Sequence, residues 1–167
     1  EGVSSTVPAT FTITYVGTLS EAYPVKSFLE AVQKNATSET PIHLRFVGSV
    51  PAAVREKISS EARGCTTEFI PYSDHPSGKS IITGKLFEYM ASGKPVLFIG
   101  PVDGDAAHLL ARCGYKGIFG YDNTEGIRGF ILSIAAGGSA ARADLHAEYS
   151  RRALTNNLSN YIHGLKV

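Results

Sequence analysis

Residues 84–100 read Gly84-Lys85-Leu86-Phe87-Glu88-Tyr89-Met90-Ala91-Ser92-Gly93-Lys94-Pro95-Val96-Leu97-Phe98-Ile99-Gly100. The pattern predicts a short helix, a tight turn and a buried strand. The main apolar positions of the helix, and the glycine that follows them, are spaced to share one face: Leu86, Tyr89, Met90 and Gly93. Gly93 ends the helix and Pro95 prevents it from resuming. The apolar run 96–99 does not alternate, which is typical of a parallel strand covered on both sides.

The start of this helix is suited to binding a nucleotide. Lys85 and Glu88 lie three residues apart, on a face that can stay polar. Backbone N–H groups in a first helical turn can donate to phosphate oxygens. A carboxylate one turn further along can accept hydrogen bonds from ribose hydroxyls. The structural alternative is an amphipathic helix beside a sheet, with Lys85 and Glu88 as a surface ion pair.

The run GKLFEYMASGKPVL, residues 84–97, resembles the nucleotide-sugar site of GT-B glycosyltransferases, particularly those similar to family 4. The resemblance covers nearly the whole chain order. Residues 15–19 look like the first strand and loop of a GT-B C-terminal domain, and residues 100–106 look like the loop after the strand that follows the glutamate helix. Residues 149–154 resemble the terminal helix that crosses back towards the N-terminal domain. The implied fold is a Rossmann-like three-layer α/β/α parallel sheet, half of a GT-B architecture.

Length and composition agree with one globular domain. The chain has 167 residues, of which 43% are hydrophobic and 19% charged, so it can bury a core and is neither disordered nor membrane-spanning. Sixteen basic and fifteen acidic residues give a net charge of +1, which does not call for a nucleic-acid partner. Residues 1–10 lack the features of a signal peptide. We expect them to be a linker or an artificial chain end, and residues 11–167 to form the nucleotide-sugar-binding domain with its C-terminal crossover helix.

Cysteine and histidine usage predicts neither disulfides nor a metal site. Cys65 and Cys113 are isolated, which favours a reduced, cytoplasmic setting. The five histidines do not follow a metal-ligand spacing, so no metal and no cofactor is expected. A nucleotide diphosphate sugar would be bound as a substrate. His75 and His108 are not assigned a role.

Alternation of strands and helices predicts βαβ units with right-handed crossovers and therefore a parallel sheet. The predicted strands are residues 11–16, 42–47, 66–72, 96–99 and 117–121. The predicted helices are residues 25–33, 51–64, 84–93, 105–112, 124–135 and 140–158, with 159–167 as an extension of the last.

The segment between the third strand and the glutamate helix departs from the family pattern. The family has a further helix and strand there, whereas this chain has only residues 73–83. Either the domain is shortened, or residues are missing from the sequence between Tyr72 and Ser80, near His75–Ser77. An interrupted chain would show a Cα–Cα distance well above the ~3.8 Å of a trans peptide. Many family members also carry a glutamate where Ser80 stands, so a retaining mechanism cannot be carried over and no catalytic residue is assigned.

The resemblance implies a donor site around the glutamate helix. Glu88 would accept hydrogen bonds from the ribose of a sugar nucleotide. Lys85 would face the diphosphate together with the backbone N–H groups of Thr83, Gly84 and Leu86. Gly84 lets phosphate approach the backbone closely, and the helix N-terminus supplies positive potential.

Two loops are expected to complete this site, because open α/β sheets bind ligands at the carboxyl ends of their strands. Gly17 and Thr18 follow the first strand, where the family places the phosphates or the base. The alternative is a plain strand-to-helix turn. Gly104 belongs to the loop after the fourth strand. There Asp103 or Asp105 can be a simple helix N-cap while the loop backbone still contacts the donor.

Two other features receive structural interpretations. Residues 73–80 nearly match a phosphate-binding P-loop, but Ser73 replaces its first glycine, Pro76 removes an N–H group and Gly84 would interrupt the helix that must follow. Arg151 and Arg152 are assigned to a solvated helix face, with contact to an acceptor or to a missing domain as the alternative.

The sequence therefore predicts the donor-binding domain of a glycosyltransferase that moves a sugar from a nucleotide diphosphate sugar to a saccharide or lipid-linked acceptor, as in polysaccharide or cell-envelope glycan synthesis. The expected partners are the nucleotide-sugar donor and an N-terminal acceptor-binding domain that this chain lacks. Peripheral membrane contact through the full-length protein, at the inner face of the membrane, is a further expectation. The alternatives are a sugar-nucleotide epimerase of related fold and a degenerate, non-catalytic interaction domain.

Overall fold

A computed structural model describes most of the chain, with gaps near the N-terminus, in the first half and before the last helix. The described residues are 11–19, 23–36, 42–49, 52, 67–71, 75–138 and 145–165. The strands are β1 Phe11–Val16, β2 Ile42–Val47, β3 Thr67–Pro71, β4 Val96–Ile99 and β5 Ile118–Phe119. The α-helices are α1 Lys26–Asn35, α2 Gly84–Ala91, α3 Asp105–Arg112, α4 Thr124–Ala135 and α5 Arg151–Gly164, and 3-10 helices span Pro76–Ser80 and Leu145–Tyr149.

The five strands form one sheet in the order β2-β1-β3-β4-β5. Every neighbouring pair is parallel, with Tyr15 of β1 opposite Phe46 of β2 and Ile70 of β3 opposite Phe98 of β4. The prediction of an α/β chain with a parallel sheet is confirmed. The chain leaves β1 for β2 on one side and returns to β3 on the other. This reversal makes the gap between β1 and β3 a topological switch point, where sheets of this kind bind ligands.

Helices cover both faces of the sheet. On one face, α1 and α4 pack over β1 and over the side chains of Leu97 and Ile99. On the other face, α2 and α3 pack over Val96 and Phe98. All four residues of β4 are buried, as the unalternating apolar run predicts. Because neighbouring side chains of a strand point to opposite faces, β4 contributes two side chains to each core cluster.

Most element positions agree with the sequence prediction, but the last helix does not. A continuous helix over 140–158 is wrong. Residues Leu145–Tyr149 form a 3-10 helix, and α5 begins at Arg151 because Ser150 accepts a hydrogen bond from the backbone N–H of Ala153 (3.2 Å), as an N-cap does. The helix then runs to Gly164, so the expected extension beyond 158 is confirmed as far as residue 164.

Some predictions fall on residues that the structure does not describe. The predicted helix over 51–64 lies outside the described residues except at residue 52, as do residues 1–10 and Cys65. Residues 72–74 are also outside them, so the missing-residue hypothesis stays a prediction. From His75 onwards, a 3-10 helix leads directly into α2, and β3 pairs with both β1 and β4. Among the described residues, no helix is long and apolar enough to cross a membrane.

Candidate functional site

The loop after β1 is shaped by two glycines with positive φ. Gly17 has φ of +131° and Gly48, which follows β2, has φ of +135°. A Cβ atom on Gly48 would lie 2.3 Å from the carbonyl oxygen of Gly17, so only glycine fits there. The N–H of Gly17 donates to the carbonyl of Val47 (2.7 Å), and the N–H of Leu19 donates to that of Ser49 (2.9 Å). The two strand ends therefore form one tight double loop.

Lys85 of α2 reaches into this double loop. Its Nζ would lie 2.0 Å from a Cβ atom on Gly17, and it lies 3.2 Å from the hydroxyl of Tyr15 and 4.9 Å from the centroid of the Tyr15 ring. The hydroxyl of Tyr15 donates to the carbonyl of Thr18 (2.8 Å), and burial raises the pKa of Tyr15 above its usual 10.0. We call residues 15–18, Gly48 and Lys85 the β1 rim. It joins Lys85, Gly17 and Thr18, three of the predicted donor-binding residues.

Tyr89 fixes α2 against β1. Its side chain is buried, and its hydroxyl accepts a hydrogen bond from the backbone N–H of Val16 (2.7 Å). Tyr89 lies one helical turn after Lys85, so both side chains leave the helix on the side of β1. This contact spans 73 residues of sequence and sets where the start of α2 lies at the sheet edge.

The first turn of α2 has fewer backbone N–H groups available to a ligand than the sequence predicts. Gly84 is exposed, and a Cβ atom added there would meet no heavy atom within 4 Å. The backbone N–H of Leu86 instead donates to the carbonyl of Thr83 (3.1 Å), and the side chain of Leu86 is fully buried. Leu86 is therefore a core residue whose amide already has an acceptor in this structure. Gly84 and Lys85 open the helix, where backbone N–H groups do not have intrahelical acceptors.

Glu88 lies on a different side of α2 from Lys85. It lines a groove of about 340 Å³ between α2 and the C-terminal segment, here called the α2 groove. Its lining includes Gly84, Phe87, Glu88, Tyr149, Arg151 and Leu154. The ion pair between Lys85 and Glu88, which was the structural alternative, is not formed, since the amine of Lys85 lies on the β1 rim. Glu88 is exposed and forms no ion pair with any residue that the structure describes.

The loop after β4 is occupied by structural contacts. Gly104, and neither aspartate, is the N-cap of α3, so the N-cap interpretation of Asp103 and Asp105 is wrong. Asp105 is the first helical residue, and Asp103 pairs with Lys79 of the first 3-10 helix (2.5 Å), which lowers the pKa of Asp103. A Cβ atom on Gly104 would lie 2.9 Å from the carbonyl oxygen of Lys79. Packing thus already accounts for a glycine at position 104.

The remaining candidate groups do not form a reactive cluster. Ser80 ends the first 3-10 helix and is exposed, and His75 caps the start of that helix through Nδ1. Cys113 is buried, and burial raises the pKa of its thiol, so it is held as a neutral core side chain. In the described ranges, no group of three or more His, Cys, Asp or Glu side chains could hold a metal ion.

Sequence reasoning missed several residues of the two regions. Tyr15 was predicted only as part of a strand, and Gly48, which directly follows the strand predicted at 42–47, was not predicted to take part in the site. A glycine directly after each of two neighbouring parallel strands is a signal for a shared tight loop. Tyr149 and Ser150 were placed inside a continuous helix. Serine three residues before Ala153 was the available N-cap signal.

Comparison with known proteins does not assign the chain to a group. No family model matches it, and no curated protein matches it at a significant level.

Proposed function

We propose that the chain is a Rossmann-like, nucleotide-sugar-binding domain, the donor half of a GT-B glycosyltransferase similar to family 4. The observation that carries the proposal is the position of α2. Its start lies at the carboxyl end of β1, beside the switch point, with Lys85 on the Gly17 loop and Glu88 one turn further in an open groove. Three groups are suited to a diphosphate followed by a ribose: a cation, an exposed glycine at a helix start, and a carboxylate without an ion pair to any described residue.

The chemistry proposed for this region is binding and charge stabilisation. The diphosphate lies over Gly84, with the amine of Lys85 donating to it from the β1 rim. Glu88 accepts hydrogen bonds from the ribose hydroxyls. As the sugar leaves, negative charge grows on the diphosphate, and a fixed amine and helix N-terminus stabilise that charge without having to reorganise. We do not assign a catalytic residue, because Ser80 stands where the resemblance would place a carboxylate.

The terminal helix supports the proposal of a further domain. Among its described residues α5 buries none, yet its apolar side chains follow helical spacing. The exposed apolar residues of this segment are Leu154, Leu158, Tyr161, Ile162 and Leu165. We propose that an N-terminal acceptor-binding domain covers this face. A cytoplasmic site of action, with contact to the inner face of the membrane through the whole protein, is part of the same proposal.

The test is a calorimetric titration of the chain with UDP, GDP and their sugar conjugates. We expect Glu88→Ala and Lys85→Met each to weaken nucleotide binding by about tenfold or more, since each removes a charged hydrogen-bonding group. Glu30→Ala is the matched control, because Glu30 lies on α1, across the sheet from α2. If no nucleotide binds, or if Glu88→Ala leaves binding unchanged, the proposed donor site is wrong. A full-length protein that interconverts sugar nucleotides and transfers nothing would favour the epimerase alternative.

A further inference from the structure

The α2 groove has walls that the proposed contacts of Lys85, Gly84 and Glu88 do not use. Phe87 and Tyr149 stand together on one side, with ring centroids 6.3 Å apart and an interplanar angle of 36°. Both side chains are partly exposed. Their rings pack against the edge of the core under α2 and α3 while leaving ring surface at the groove. Aromatic surface of this kind is what nucleobases stack on in proteins that hold them.

The groove is small for a ligand site, which suits part of a sugar nucleotide better than the whole molecule. Its volume of about 340 Å³ lies at the lower end of the roughly 300–1,000 Å³ typical of small-molecule sites. Its lining includes Gly84, the residue that opens α2. A ligand seated in the groove therefore lies next to the place where the proposed diphosphate lies. Glu88, which also lines the groove, is about one helical turn from Gly84.

Two opposite charges line this small space without pairing. Glu88 and Arg151 both border the groove, and neither forms an ion pair with a residue that the structure describes. Arg151 occupies the first turn of α5, where the positive end of the helix dipole disfavours a cation. Its position therefore does not serve the stability of α5. A carboxylate can accept from ribose hydroxyls, and a guanidinium can only donate.

We infer that the α2 groove is a nucleoside subsite: the base stacks on Tyr149 and Phe87, the ribose bonds to Glu88, and Arg151 donates to the edge of the base. The inference rests on the proposed function and extends it to the choice of base. Because the guanidinium has donors alone, it matches a base edge that presents a carbonyl oxygen, such as O6 beside N7 of guanine or O4 of uracil. It matches adenine less well, since there an amino donor stands beside N7. The predicted ligands are thus guanosine or uridine diphosphates and their sugar conjugates.

The experiment measures binding of GDP, UDP, ADP and inorganic pyrophosphate to the whole chain, to Lys85→Met and to three further variants. Arg151→Met removes the donors and keeps the length of the side chain. Its control is Arg152→Met, which changes the neighbouring exposed arginine, outside the groove lining. Tyr149→Leu keeps an apolar side chain against Phe87 and removes the stacking surface. Thermal melting of each variant checks that α5 and the core under α2 are intact.

The expected changes in affinity distinguish recognition of the base from recognition of the phosphates. Arg151→Met lowers the affinity for GDP and UDP about tenfold and so removes most of the difference between their affinities and that of ADP. The affinity for pyrophosphate stays within about twofold of the parent value. Tyr149→Leu lowers the affinity for all three nucleotides by about fivefold or more, which is the loss found when one stacking ring is removed. The affinity for pyrophosphate does not change. Arg152→Met behaves like the parent chain.

Other results overturn the inference in distinguishable ways. If nucleotides bind and Lys85→Met weakens them while Arg151→Met and Tyr149→Leu do not, the nucleoside subsite is wrong and the donor site stands. If pyrophosphate binds as tightly as the three nucleotides, the nucleoside subsite and the ribose contact of Glu88 are both wrong, since neither base nor ribose is then recognised. If neither nucleotide nor pyrophosphate binds the parent chain, both proposals fail.

Discussion

The β1 rim and the α2 groove are neighbours on α2, but they differ in what fixes their residues. In the rim, Gly17 and Gly48 have backbone conformations and close contacts that exclude a side chain, and Lys85 lies within hydrogen-bond reach of Tyr15. In the groove, Gly84 faces open space and Glu88 is exposed. Packing alone explains the two glycines of the rim. Packing does not explain a carboxylate and a guanidinium that line an open groove without an ion pair to any described residue, so their substitution reports on a ligand.

Gly48→Ala should have the largest effect, and it acts on stability. The new methyl group would meet the carbonyl of Gly17 at 2.3 Å, and φ of +135° is strained for alanine. We expect a loss of about 3 kcal/mol in the free energy of unfolding, measured by urea denaturation. The control is Gly129→Ala in α4, where nothing lies within 4 Å and alanine should add about 0.5–1 kcal/mol. A tolerated alanine at position 48 would mean that the two loops do not pack as described.

Tyr89→Phe should have a smaller effect on stability. The variant keeps the ring and removes the hydroxyl that accepts from the N–H of Val16 (2.7 Å). We expect a loss of about 1–2 kcal/mol, because a part-buried backbone donor is left without its acceptor. Nucleotide binding should weaken as well, since this contact positions the start of α2. Hydrogen exchange of the Val16 amide gives the readout, and unchanged protection would contradict the proposed anchoring.

Gly84→Ala should separate the two regions most clearly. Because a Cβ atom there meets no neighbour, we expect the free energy of unfolding to change by less than about 1 kcal/mol, with a gain if anything. The same methyl group stands where the diphosphate is proposed to approach the backbone, so nucleotide affinity should fall several-fold. Calorimetry and thermal melting on one preparation measure both quantities. Unchanged affinity would show that the phosphates do not bind at the start of α2.

The smallest expected effect is a loss of stability at alkaline pH, caused by ionisation of Tyr15 in the β1 rim. Burial raises the pKa of Tyr15 above 10.0, so the folded state holds this proton more tightly than the unfolded state does. The contribution of Tyr15 to stability is therefore complete below pH 10 and is lost as pH rises from there through the folded pKa. Comparing the stability of the parent chain with that of Tyr15→Phe across this range measures the loss. Parallel pH dependences of the two proteins would show that the Tyr15 hydroxyl is not protected.

Local rules recovered much of the fold. Gly93 has φ of +68° just after α2 ends, as a helix-stopping glycine should, and β4 is buried along its whole length. The same rules failed where two local signals competed. The helical periodicity of residues 140–158 gave no sign of the cap at Ser150. The aspartates on either side of Gly104 favoured a side-chain cap, whereas Gly104 itself takes the cap position without a side-chain bond. Periodicity measures which face of a helix is apolar and does not locate where the helix begins.

The sequence by itself determined the elements, their alternation and the pairing of a helix start with Glu88 four residues later, because each depends on backbone preferences and on spacings within one or two turns. The tertiary structure decided the rest. It set the strand order, placed Lys85 beside Gly17, and brought Glu88, Tyr149 and Arg151 to one groove. These outcomes depend on contacts between residues that lie far apart in the sequence, such as Tyr89 and Val16, which are 73 positions apart. The free energy of such contacts comes from packing that no local window contains.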